Sequence, residues 1–176
     1  MKRVMVFGGL VGLVLLCGCG KKSDAGPSGA GWTGFDPEHG KFSLAMPGTP
    51  TENPSDGSAG KSWSSSADGL TYTISYAELQ TPEASADTDK VEQWMDNEVD
   101  IMLTIERGTL TKQQKPLMVG GQPGREVDID VDGKTVRRIR MCVAGNRLYR
   151  VEVSGPKDKV FTPEVDSFLD SFKAAK

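Results

Sequence analysis

The sequence predicts an α+β fold, a mainly antiparallel sheet of about six to seven strands with one long middle helix and one C-terminal helix. Three observations predict it. Glycine (21 residues) and proline (10) together reach about 18% of the chain against roughly 12% in average usage, which suits short strands joined by tight turns. Several runs alternate apolar and polar residues and are separated by turn residues, so neighbouring strands are joined directly and run antiparallel. Only two segments carry the period of an amphipathic helix. At 176 residues the chain is long enough for one domain and short for two. A net charge of −3 and a single histidine argue against a nucleic-acid binder and a histidine-rich metal site.

From Trp32 onward the pattern is globular. Phe42, Leu44 and Met46 alternate and stop at Pro47-Gly48, a strand followed by a turn. Thr51 to Gly60, polar with Pro54 and Gly57, reads as a loop, and Lys61 to Ser66 as a serine-rich strand carrying Trp63. Asp68-Gly69 then turns the chain into Leu70, Tyr72, Ile74 and Tyr76, the cleanest hairpin of the N-terminal half. Thr81 to Thr88 is a loop. Asp89 and Glu92 have the spacing of a capping box, and Val91, Trp94, Met95, Val99, Met102 and Leu103 form one helical stripe. Arg107 suits the negative end of that helix and Gly108 stops it.

A strand over Thr109 to Met118 is interrupted by Pro116, which places it at an edge or a bulge, and Gly120 to Gly124 reads as a loop. Three strands follow: Arg125–Val131, Thr135–Val143 and Leu148–Ser154. Val127, Ile129 and Val131 share a face, as do Ile139, Met141 and Val143, and Tyr149, Val151 and Val153. Keeping these faces together favours a three-residue turn at Val131-Asp132-Gly133, with Gly133 left-handed. The same argument favours a three-residue turn within Ala144 to Arg147 over the two-residue Gly-Asn turn. Thr162 caps the last helix with Pro163 at its first position, and Val165, Phe168, Leu169 and Phe172 line its apolar face.

The N-terminus reads as an address. Lys2 and Arg3 precede an uncharged run, Val4 to Leu16, that makes roughly 20 Å of helix and falls short of a ~30 Å hydrocarbon core. Leu16-Cys17-Gly18-Cys19 follows and resembles the lipobox of bacterial prolipoproteins, with Cys19 as the residue to be lipidated. Cys17 is small enough for the −2 position, whereas lipidation of Cys17 itself would put bulky Leu16 next to the cleavage site. Each buried acyl CH₂ is worth ~0.8 kcal/mol, so two or three chains make a stable membrane anchor without a spanning helix. Gly20 in place of aspartate favours, by the same resemblance, the outer membrane in a diderm cell. Three segments result: a lipoprotein signal peptide over 1–18, the lipidated cysteine and a flexible tether over 19–31, and one domain over 32–176. The tether has a reach of ~19 Å. Cys142 is left as the one thiol of the mature domain.

Three stretches then carry a resemblance. Phe42-Ser43-Leu44-Ala45-Met46-Pro47, the single long middle helix, and the closing strand and helix (Leu148 to Val153, Phe168 to Phe172) resemble PsbP-like domains of bacterial lipoproteins. That resemblance implies an α+β domain that assists assembly or binds partners rather than catalysing a reaction, and it carries over no functional residue.

Lys134, Arg137, Arg138, Arg140, Arg147 and Arg150 gather six cations without an anion among them. Arg138, Arg140, Arg147 and Arg150 are candidates for docking phosphate headgroups or an acidic partner. The competing reading is a cross-strand ladder, because Glu126, Asp128 and Asp130 share the parity of Arg138 and Arg140. Asp128-x-Asp130-x-Asp132-Gly133 copies the start of a calcium loop, but Ile139 stands where the twelfth-position glutamate belongs, so a solvated strand face is expected. His39 reads as a surface histidine and Cys142 as a small buried residue. The expected protein is a lipid-anchored envelope protein that faces the periplasm or cell exterior, with no cofactor or metal, no catalysis and no nucleic acid. Its partners are the membrane, through the anchor, and an envelope protein. The alternative is a small-ligand-binding lipoprotein with a cleft near Trp94 or Trp32.

Overall fold

The computed structural model describes residue 27 and residues 31–54, 60–79 and 88–175. The signal peptide, Cys19, most of the tether and the loop before the middle helix lie outside the described residues. In chain order the elements are β1 (Trp32–Phe35), β2 (Phe42–Pro47), β3 (Thr51–Glu52), β4 (Gly60–Ala67), β5 (Leu70–Glu78), α1 (Thr88–Glu106) and β6 (Thr109–Val119). They continue with β7 (Gln122–Asp130), β8 (Thr135–Ala144), β9 (Arg147–Pro156), α2 (Pro163–Ser171) and β10 (Lys173–Ala174). The main sheet has seven strands in the order β3-β4-β5-β9-β8-β7-β6, all antiparallel, and a second sheet has the order β1-β2-β10. The α+β antiparallel architecture is the expected one. The strand count is higher because β1, β3 and β10, at 4, 2 and 2 residues, are too short to display an alternation.

Both faces of the main sheet are covered, which makes three layers. Val91, Met95, Val99 and Met102 of α1 pack on Val127, Ile129, Ile139, Met141, Val143 and Leu148. On the opposite face Tyr72, Ile74, Tyr149, Val151 and Val153 meet Val165, Phe168 and Leu169 of α2 and Phe42, Leu44 and Met46 of β2. Thr162 caps α2, its Oγ1 accepting from Val165 N–H at 3.4 Å with Pro163 behind it, as the sequence predicts.

The turns show where parity misleads. Between β7 and β8, Asp130 pairs with Val136 and Val131 N–H donates to Thr135 O, so the three-residue loop is Asp132-Gly133-Lys134, one residue later than expected. Like parity is kept, with Val127 opposite Ile139. Between β8 and β9 the turn is the two-residue Gly145-Asn146, with Gly145 at φ 60°, and Arg140 lies opposite Val151. The expectation of a three-residue turn assumed one wet face. With an outer layer on each side, apolar side chains of both parities are buried, in two separate cores. Gly120 and Gly121 (φ 57° and 86°) make a two-residue hairpin turn, and Gln122–Gly124 belong to β7 rather than to a loop. Strand β6 forms an edge with register shifts, one of them between Gln114 and Leu117, as Pro116 requires. At the end of α1 it is Arg107 that adopts positive φ (53°). Gly108 is needed for space, since a Cβ there would come within 2.5 Å of Ile129 Cγ2. The helix begins at Thr88, so Asp89 sits in its first turn instead of capping it.

Candidate functional site

The four arginines singled out by sequence do not form one surface. Arg138 and Arg140 of β8 reach toward α2. Arg138 donates to Val160 O at 3.1 Å, Asp166 at 2.8 Å and Glu126 at 3.3 Å, and lies 5.2 Å from the Phe161 ring centre. Arg140 donates to Glu126 at 2.7 Å and pairs with Asp170. Arg147 is buried on the strand end: it donates to His39 O at 2.7 Å, Gly40 O at 2.9 Å and Glu78 at 3.0 Å, and sits 4.1 Å over Tyr76. Arg150 points to the other face and donates to Glu98 of α1 at 2.9 Å. The cross-strand ladder is therefore assembled, extended by α2 carboxylates that no strand pattern could reveal.

The ladder has an electrostatic signature. Burial alone would raise the Glu126 carboxyl, but hydrogen bonds from Lys112 and Arg140, with the charges of Arg140 and Arg138, hold it down at about 2. Asp128, directly opposite Arg138, is raised, because burial outweighs the pull of Arg138 and Lys112. Asp128 is thus buried, like Glu126, where a solvated face was expected, since α2 covers this face. Asp130 and Asp132 serve the turn: Asp130 accepts from Gly133 N–H at 2.6 Å, and Asp132 from Lys134 N–H at 2.9 Å and Thr135 N–H at 2.6 Å. Cys142 is wholly buried beside Tyr149, and burial pushes its thiol up to about 12. His39 is exposed in the connection between β1 and β2.

An opening lies elsewhere. It is a groove of about 430 Å³ over the part of the sheet that α1 leaves bare. Its floor is Ser62 of β4, Thr73 and Ser75 of β5, and Arg150 and Glu152 of β9, with Asn53 at one rim and Glu98 of α1 at the other. These floor residues point to the α1 side because the opposite parity, Trp63, Ile74 and Val151, faces the core under α2. Arg137 joins from β8, its Nε donating to Glu152 at 2.6 Å. Asn53 donates to Ser62 Oγ at 2.9 Å and accepts from Ser64 Oγ at 2.9 Å.

Of the two tryptophans suggested for a cleft, Trp32 is structural. Its Nε1 donates to Glu164 at 3.0 Å, and its ring packs on Tyr72 and Phe168. Trp94 is half-buried on α1 and belongs to neither core cluster. Sequence reasoning missed the groove because outward-facing serines and threonines on a strand look the same whether water or a ligand meets them. The alternating serines of β4 were the available signal.

The three layers and the bare polar groove define an α+β domain with a sheet covered on both faces and one open end. No family model and no curated protein matches the sequence. In structure the chain is similar to cyanobacterial PsbP (CyanoP) from Synechocystis, with a TM-score of 0.62 at 10% identity, over 85% of this chain and 96% of that one. At that identity the likeness is one of fold, and the chain has a PsbP-like fold. A Bacteroides thetaiotaomicron protein matches with a TM-score of 0.45 at 16% identity, over 77% of this chain and 46% of the other. A Pseudomonas aeruginosa protein of unknown function matches at 0.39 and 9% identity, over 73% and 85%.

Proposed function

We propose that this chain is a lipid-anchored envelope protein, facing the periplasm or cell exterior, whose domain binds or supports a protein partner without catalysing a reaction. The observation that carries the reading is that charged side chains of the sheet, Arg125, Arg138, Arg140, Arg147 and Arg150, hold the outer layers in place. Arg138 and Arg140 hold α2, Arg150 holds α1, and Glu126 with its depressed pKa belongs to the same ties. The groove's own charges are paired. Reactive sites, by contrast, keep a nucleophile and base poised together. The anchor is read from Leu16 to Cys19, and acyl chains on Cys19 supply the attachment. Cells fed a clickable palmitate analogue are expected to label the wild-type protein and not Cys19→Ala. Label retained on Cys19→Ala would contradict the assignment of the anchor.

A second reading, a small polar ligand held in the groove, is favoured by one observation. Among the described residues the Thr73 and Ser75 hydroxyls line the floor half-buried and make no hydrogen bond within the protein. A ligand that binds the folded state raises the melting temperature with its concentration, so a metabolite screen by thermal shift tests it.

A further inference from the structure

Several elements meet at one end of the main sheet. The β7–β8 turn and the connection from β9 to α2 touch there, Lys157 N–H donating to Lys134 O at 2.9 Å. Lys159 Nζ reaches the β4–β5 turn and donates to Asp68 O at 2.8 Å. Helix α1 ends beside them, because β6 begins at Thr109 opposite Asp130, the last residue of β7. Strand β1 starts at this end as well. Gly31 O accepts from Gly48 N–H at 2.6 Å, and Trp32 Nε1 donates to Glu164 in the first turn of α2. The Trp32 ring lies edge-on to Tyr72, 5.2 Å between ring centres, and Tyr72 pairs with Val153 in the last half of β9.

Two large apolar side chains stand out from this end. Phe161, between buried Val160 and the Thr162 cap, is 50% exposed, and Ile105, in the last turn of α1, is 75% exposed. Around them exposed charges of both signs are mixed, Arg107, Lys134, Lys157 and Lys159 with Asp68, Asp132 and Asp158. Such a mixture exerts little net pull on an anionic partner. Lysine stems beside an aromatic ring suit a headgroup layer over hydrocarbon. Reach then decides which end of the domain meets the bilayer. On the reading of Cys19 as the lipid anchor, residues 20–31 join the membrane to Gly31 and Trp32, with a reach of ~19 Å and at most ~40 Å when drawn out fully. Strands β8 and β9, of 10 residues each, put the Gly145-Asn146 turn roughly 30 Å from this end. The far end meets the surface only with the tether drawn out almost straight, which costs chain entropy. Tethering also holds the near end at an effective concentration of the order of millimolar, so a contact too weak to form from solution is populated. We infer that this end of the domain seats on the bilayer that holds the anchor, with Phe161 and Ile105 entering the headgroup region and Lys134, Lys157 and Lys159 around them. The Gly145-Asn146 turn then stays in water.

The test uses the full-length lipidated chain in phosphatidylcholine vesicles, with and without phosphatidylglycerol, whose acyl chains are brominated near the headgroup. With Cys19 acylated and Cys142 wholly buried, a polarity-sensitive thiol label reports a cysteine introduced at the surface. Lys157→Cys places it at the near end and Asn146→Cys at the far end, both exposed. The expected result is blue-shifted, bromine-quenched emission at position 157 and aqueous, unquenched emission at position 146. Lipid charge and salt should change the quenching by less than about twofold, because the charges of this end are mixed. The double variant Ile105→Ser, Phe161→Ser should lose most of the quenching at position 157 and still float with the vesicles. Both side chains lie outside the two cores, and an unchanged melting temperature confirms that the variant folds. Equal quenching at the two positions, or none at either while the chain floats, would overturn the seating and leave the anchor. Quenching that survives the double variant would overturn the role of Phe161 and Ile105. A wild-type chain that does not float would overturn the anchor reading, and the seating with it.

Discussion

Single residues on the main sheet hold the outer layers. Arg125 is the bulkiest wholly buried side chain, and it meets α1 through Glu92 at 2.6 Å and through Asp96. The two carboxylates are 34% and 49% exposed, so they rehydrate if the arginine goes, whereas the arginine, wholly covered in their presence, keeps the Glu92 carbonyl at 3.1 Å as its hydrogen-bond partner if they go. Replacing both by alanine should therefore cost about 3–5 kcal/mol, and Arg125→Met, which keeps the volume, less than about 2 kcal/mol. Urea midpoints in the reverse order would contradict this. Glu126 and Asp128 make a second residue-scale prediction. The folded-state pKa of Glu126 lies below its ordinary value, so its contribution to stability is present above about pH 4.5 and is lost as pH falls toward about 2. Asp128 is raised and acts in the opposite sense, its contribution present at low pH and lost as pH rises through its raised value. Unfolding of Glu126→Gln between pH 5 and 2 should thus show a flatter acid limb than the wild type, roughly by this one titration. An unchanged limb would place the acid sensitivity elsewhere.

At the scale of elements, glycines separate two kinds of constraint. A Cβ at Gly124 would stand 2.3 Å from Met141 O, inside the pairing of β7 with β8, so Gly124→Ala should destabilise by about 1–3 kcal/mol. Gly121 has open space around it and needs only its positive φ of 86°, so Gly121→Ala should cost less, about 1 kcal/mol. Thermal unfolding of the two variants checks the order. The same scale explains what was legible in the sequence. Helix α2 could be read to the residue because its cap, its proline and its stripe are all local. Strands β5 and β7–β9 were legible from alternation, and α1 from its stripe. The turn at Gly145-Asn146 was misread because burial on both faces removes the penalty that parity relies on. The groove was not legible as a site, because it needs Glu98 and Arg150, 52 residues apart, to meet across α1 and β9. Trp94 was visible as part of a stripe, but its freedom from the core was not.

The whole molecule is a sheet held between two unlike layers, with cations on its strands gripping carboxylates on each. Arg125 and Arg150 secure α1, Arg138 and Arg140 secure α2, and Arg147 secures the connection between β1 and β2. The arginines of the basic cluster are thus engaged within the fold while Lys134 is exposed, and the groove and the exposed flank of α1 are surfaces left open. We propose that such a domain, carried on a lipid anchor, works by binding a partner at the envelope. The most direct measurement is crosslinking in intact membranes of a C-terminally tagged chain, with mass spectrometry of what co-purifies. One envelope protein in fixed ratio, lost when Cys19→Ala removes the anchor, is the predicted result. A tagged chain that crosslinks to nothing while seated in the membrane would contradict it.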